Sequence, residues 1–165
     1  MAYLLDSDVF IQAKNLHYGL DFCPAFWDWI IANNAALKVF SIEKVGDELS
    51  AIDDELSEWA SRRGLEFFRK PDEAMLSALG PVSTWANGGQ YEPAAVNTFL
   101  QIADCYLVAF ALAHGYTVVT HEKAAATKKK IKIPNACVGL DIKCMTPYEM
   151  LRRERARFIL GTQQR

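Results

Sequence analysis

Residues 1–10 read MAYLLDSDVF, an apolar run that ends in two aspartates, Asp6 and Asp8, separated by one serine. A short continuous apolar run suits a strand buried on both faces, and SDVFIQAKN after it can open a helix with Ser7 or Asp8 as N-cap. The chain therefore passes from strand to helix at two carboxylates. In parallel sheets, groups that do chemistry gather at the carboxyl ends of strands, where loops lead into helices. The question is what these acids do at the end of a core strand.

The rest of the chain repeats the alternation. CPAFWDWIIANN reads as a helix, with Pro24 near its start and Asn33-Asn34 at its end. LKVFS is a second strand, followed by a helical stretch over SIEKVGDELSAIDDELSEWASRRG that Gly64 stops. Gly80-Pro81 is expected to break the next helix, and Asn87-Gly88-Gly89 to form a loop. From Pro93 the chain becomes helical and nearly all apolar as far as Gly115; YTVVT is then a β-branched strand. A lysine-rich loop, KAAATKKKIK, leads to IPNACVG, read as another strand. The last helix, over about 146–160, opens at TPYE with Thr146 as N-cap, Pro147 at N1 and Glu149 at N3. This order predicts an α/β fold with a mainly parallel sheet between helices.

With 165 residues, 51% of them hydrophobic, the chain suits one domain over 1–165. Asp6 interrupts the N-terminal apolar stretch before it can form a signal peptide, and no stretch reaches the roughly 18 uncharged apolar residues of a membrane span. A cytoplasmic protein with no membrane partner is the expectation. Cys23, Cys105, Cys137 and Cys144 are scattered, with neither a C-x-x-C pair nor histidines at zinc-finger spacing, and are read as reduced, mostly buried thiols. Net charge is −2, but residues 1–100 carry −8 and residues 101–165 carry +6. That asymmetry suits a polyanionic partner for the second part, or charged faces that merely segregate.

Three further acids stand beside or within apolar elements. On the helix after LKVFS, Ile42, Val45, Leu49, Ile52 and Leu56 fall in one stripe; Glu43 and Asp47 point away from it, and Glu48 lies on its margin. Asp104 is the only charged residue between Thr98 and Ala113 and shares a helical face with Leu107, Val108 and Ala111. Desolvating it alone would cost several kcal/mol, so a distant Lys14 or Lys123, a helix cap or a bound cation has to compensate it. Glu122, with His121, follows the strand YTVVT. If Asp6, Glu48, Asp104 and Glu122 converge, like charges about 4 Å apart repel by roughly 4 kcal/mol per pair at an effective dielectric near 20. A hard divalent cation with oxygen ligands, Mg2+ or Mn2+, fits such a set.

The order YLLDSDVF, VGDEL, IADCYLVAFALAHG and VVTHE resembles a PIN-like domain of the VapC-type nuclease superfamily, and KKKIKIPNAC with IKCMTPYEMLRR resembles a bacterial and archaeal PIN-like family of unknown function. The resemblance implies a three-layer α/β/α fold and a metal-dependent endoribonuclease, often the toxin of a toxin–antitoxin pair. It makes RNA the substrate, and an antitoxin protein and a second copy of the chain the partners. Asp6 matches the first-strand aspartate, Glu48 the helical glutamate before leucine, Asp104 the central aspartate, and Glu122 the last acid. Aspartate is commoner at the last position, so Glu122, longer by one methylene, contacts the metal either directly or through water. Asp8 is either a further ligand or the cap of the first helix. Ser7 and Thr120 are placed to hydrogen-bond the carboxylates, and Lys123, Lys128, Lys129 and Lys130 to bind substrate phosphates. His121, taken alone, is read as incidental. LLDSDVF also fits the D-x-D opening of haloacid-dehalogenase-type phosphatases, with Asp6 as nucleophile and Asp8 as general acid, but the later acidic pair of that family is missing from residues 131–165. A non-catalytic interaction module is the third reading.

Overall fold

The computed structural model describes residues 1–161. Its centre is a five-stranded sheet in the order β3-β2-β1-β4-β5. The strands are β1 (Tyr3–Leu5), β2 (Val39–Ile42), β3 (Phe68–Arg69), β4 (Thr117–Val119) and β5 (Cys144–Met145). Every pairing is parallel: Leu4 faces Phe40 on one side and Val118 on the other, and β5 joins through Val118 and Cys144. MAYLLDSDVF thus supplies the central strand, with Tyr3, Leu4 and Leu5 wholly buried. Parallel neighbours require crossovers, and helices supply them on both faces.

Helix α1 (Ser7–Gln12) leaves β1 and runs on into a π-helical turn, Ala13–His17, closed by a 2.8 Å bond from Tyr18 N to Ala13 O. Its N-cap is Asp6, not Ser7 or Asp8, because Asp6 is the residue with extended backbone, and its Oδ1 accepts from Ser7 N at 2.7 Å. Helix α2 (Pro24–Ala35) matches expectation. The single helix expected before Gly64 is two, α3 (Glu43–Ser50) and α4 (Glu55–Ser61). Asp54 interrupts it, its carboxylate accepting from Ser57 N as the cap of α4, and Ile52 is left exposed instead of completing the apolar stripe.

Helix α5 (Glu73–Gly88) passes through Pro81 without a break. Its buried residues Met75, Ala78, Val82 and Ala86 lie on both sides of the proline, so packing outweighs the one hydrogen bond lost. At the far end of α5, Trp85 closes over Gly139 so tightly that a Cβ there would meet the indole ring.

The apolar stretch from Pro93 is also two helices, α6 (Pro93–Gln101) and α7 (Ala103–His114), bent by 71° at an extended Ile102. Gly115 ends α7 in the left-handed region, at φ 69°, and β4 follows. No single helix among the described residues is long and apolar enough to cross a membrane.

IPNACVG is not a strand. It forms α8 (Ile133–Gly139), with Pro134 in the first turn, where its missing N–H costs nothing. Helix α9 (Pro147–Arg153) opens on the expected capping box of Thr146 and Glu149 but ends seven residues before 160, at a turn where Arg155 takes φ 55°. Buried Tyr3 donates to Glu154 at 2.7 Å, and Lys38 approaches the same carboxylate at 3.1 Å, tying that turn to the amino end of β1. The four cysteines are free, with Cys105 and Cys137 buried.

A candidate carboxylate centre at the ends of β1 and β4

Adjacent strands β1 and β4 run in the same direction and release the chain at the same edge. Asp6 follows one of them; Thr120, His121 and Glu122 follow the other. Asp6 is 5% exposed. Besides capping α1, it meets Thr120, whose Oγ1 is 2.9 Å from Asp6 Oδ2 and 3.1 Å from Asp8 Oδ2. A hydroxyl has one proton to donate, so Thr120 serves the two carboxylates alternately unless one of them carries a proton itself. Burial, then the charges of Asp8 and Asp104, push Asp6 well above the usual carboxylate range.

Asp8 does not cap α1. It lies in the first turn, and its two oxygens accept from His121 N at 3.1 Å each. Asp8 therefore fastens α1 to the loop after β4, and burial pushes it upward as well. Ser7 approaches Asp6 with its hydroxyl at 3.4 Å, a weak contact beside the short bond from Thr120.

The bend at Ile102 places Asp104 in the first turn of α7, where the helix dipole favours a negative charge. Asp104 is partly buried, as its apolar neighbours predict, but at the start of a helix rather than inside one. Burial first, then Glu122 and Glu48, raise it to about 6, while Lys130 opposes them. Lys14 is not its partner, being paired with Asp54 at 2.9 Å. Glu48 is exposed and, with Asp47, Lys44 and Gln101, borders a cleft of about 400 Å³ at the start of α7.

Glu122 has one oxygen committed elsewhere: its Oε2 accepts from Ile133 N at 2.8 Å, at the start of α8. The extra methylene has a visible use here, since one oxygen is committed to that helix. Asn135 exchanges two 3.0 Å bonds with the backbone of Ala125 and pins the base of the lysine loop. Lys129 and Lys130 flank a cavity of about 190 Å³ floored by Phe99, Ile102 and Ile131. Lys123 and Lys128 are exposed.

Asp6, Asp8, Asp104, Glu122 and Glu48 thus act on one another electrostatically, with Lys130 the cation that eases Asp104. Among the described residues, no three such side chains are drawn close enough to cage an ion as they stand. The donor set still fits a hard divalent cation: every member is a carboxylate, and burial together with the neighbouring charges raises Asp6 and Asp104.

The profile of a family described as a domain of unknown function, DUF4411, matches residues 3–158. The chain belongs to that family. The fold of this chain is PIN-like, as comparison with solved structures shows. FitAcB from Neisseria gonorrhoeae is 18% identical, with a TM-score of 0.53 over 88% of this chain and 98% of the other. FitAB bound to an IR36 DNA fragment is 17% identical, with a TM-score of 0.54 over 98% of this chain and 99% of the other. No curated protein matches the chain.

Sequence reading passed over His17 and Tyr148. Their rings stand beside His121, at 5.9 Å from His17 to His121 and 5.6 Å from His121 to Tyr148. Residues so far apart in sequence leave no periodic signal.

Proposed function

We propose that this chain is a Mg2+- or Mn2+-dependent endoribonuclease acting as one PIN-like domain, and the toxin of a toxin–antitoxin pair. The observation that supports it most is the set of carboxylates around Asp6 and Asp104, which repel one another and have Lys130 as their opposing cation. Asp6, Asp104 and Glu48 would hold the metal, with Asp8 and the free oxygen of Glu122 beside them. When bound, the cation lowers the pKa of water and stabilises charge on the phosphate oxygens.

The chain's own residues supply the rest. Asp104, which burial raises above the usual carboxylate range in the metal-free protein, is the carboxylate we assign to take a proton from water. Thr120 orients Asp6, and Asp8 fixes the loop that carries Glu122. Lys123, Lys128, Lys129 and Lys130 supply positive charge for the substrate backbone. FitAB is bound to an IR36 DNA fragment in its solved complex; an antitoxin protein and a second copy of the chain are the partners included in this proposal. The phosphatase alternative still lacks the later acidic pair in residues 131–165.

The test is incubation of the purified protein with a mixed RNA pool in Mg2+ or Mn2+, with and without EDTA. Cleavage that EDTA abolishes and added metal restores is expected; EDTA-insensitive cleavage would sink the assignment. Glu48 and Asp47 provide an internal comparison on one helix. Glu48→Ala is expected to weaken Mn2+ binding by about tenfold or more, and Asp47→Ala to leave it unchanged, since it is Glu48 whose charge is felt at Asp104. Calorimetric titration of both variants decides it, and the opposite ranking would remove Glu48 from the centre.

A further inference from the structure

One cluster beside the carboxylates has no part in the reading above. The π-helical turn carries one residue more than an α-turn, and the residue it delivers at its end is His17. Such turns often occur at functional sites. The exposed imidazole of His17 meets Tyr148 edge-on at 5.5 Å and His121 at 5.9 Å, and Tyr148 meets His121 at 5.6 Å. Three rings from the π-turn, the β4 loop and α9 therefore converge where Asp8 holds the His121 backbone at 3.1 Å. Tyr148 also walls a neighbouring cavity of about 160 Å³, lined by Tyr18, Leu151, Arg152, Ala156 and Phe158.

Three rings, none of them fully buried, and an exposed guanidinium stand together at the rim of the carboxylate centre. They match the chemistry of a nucleotide: aromatic faces stack on bases with little regard to sequence, and arginine meets phosphate. We propose that His17, His121 and Tyr148, with Arg152 beside them, form a nucleobase subsite holding the base next to the scissile phosphate of a single-stranded RNA. The substrate class rests on the nuclease reading; the subsite rests on the ring geometry.

The experiment uses short single-stranded RNAs with 2-aminopurine at successive positions, titrated with the full chain in EDTA. Stacking quenches the probe, so fluorescence is expected to fall at one or two adjacent positions. His17→Ala and Tyr148→Ala should each weaken binding by about tenfold and restore the fluorescence, whereas Tyr148→Phe should keep both. His17 is exposed, so its variant stays informative if Tyr148→Ala folds poorly. Quenching with a deoxy oligonucleotide supports the same subsite, because stacking uses the base and not the sugar. Unquenched probes at saturating protein, or variants that bind and quench like the parent, overturn it. Gel analysis with Mn2+ separates the two readings: a protein that quenches but never cuts keeps the subsite and loses the nuclease assignment.

Discussion

Asp104→Asn is expected to stabilise the metal-free protein at pH 8 by up to about 3 kcal/mol. The Asp104 carboxyl is raised from 3.8 to about 6, chiefly by burial and by Glu122 and Glu48. Between those values the folded chain holds a proton that the unfolded chain has released. Stability therefore falls as pH rises through that window, and the deficit persists above it. Asparagine keeps the shape and removes the charge. Urea melts in EDTA at pH 5 and pH 8 should show the full gain for the variant at pH 8 and about half of it at pH 5. Asp6, raised in the same direction, leaves a residual slope in both proteins. Saturating Mn2+ should stabilise the parent by about 2.7 kcal/mol at a hundred times its dissociation constant, and the variant by less. A variant that is strongly destabilised without metal yet keeps the full metal-induced rise would make Asp104 a structural residue.

Asp6→Asn should cost RNA cleavage about a hundredfold or more, roughly 3 kcal/mol of transition-state stabilisation. The fold should survive. The asparagine oxygen still accepts from Ser7 N, and its amide can donate to Thr120 Oγ1, where Asp6 now competes with Asp8 for one proton. A melting temperature equal to or above that of the parent, together with lost cleavage, is the expected pair of results. Cleavage retained by a folded Asp6→Asn protein would show that the carboxylate centre is not where the chemistry occurs.

The strands β1, β2 and β4 could be read from their sequences because each is a short run rich in apolar or β-branched residues. β5 could not be read, since two residues carry no period, and its place was given to IPNACVG. There Ile133 and Val138 look strand-like, but Pro134 suits a first helical turn and Glu122, eleven residues earlier, supplies the cap. Long-range caps of that kind are invisible to local pattern. The same holds at Ile102: composition makes residues 93–114 one helix, and only the tertiary fold requires the bend that exposes Asp104 at an amino terminus. Asp6, Thr120 and Glu122 were legible because strand ends are where a parallel sheet collects polar groups. Of the two readings of Asp8, the cap fails because the backbone amide it serves belongs to His121, more than a hundred residues away.

The outermost strands β3 and β5 are each two residues long. So short a margin offers an incoming extended segment only a couple of free backbone amides and carbonyls, too few to hold a ladder by main-chain bonds. The sheet is thereby protected from lengthening itself by edge-to-edge aggregation. A protein that recognises this molecule must instead grip side chains on its helical flanks, so its specificity would be written in the residues of those flanks, where single substitutions can exchange one companion for another.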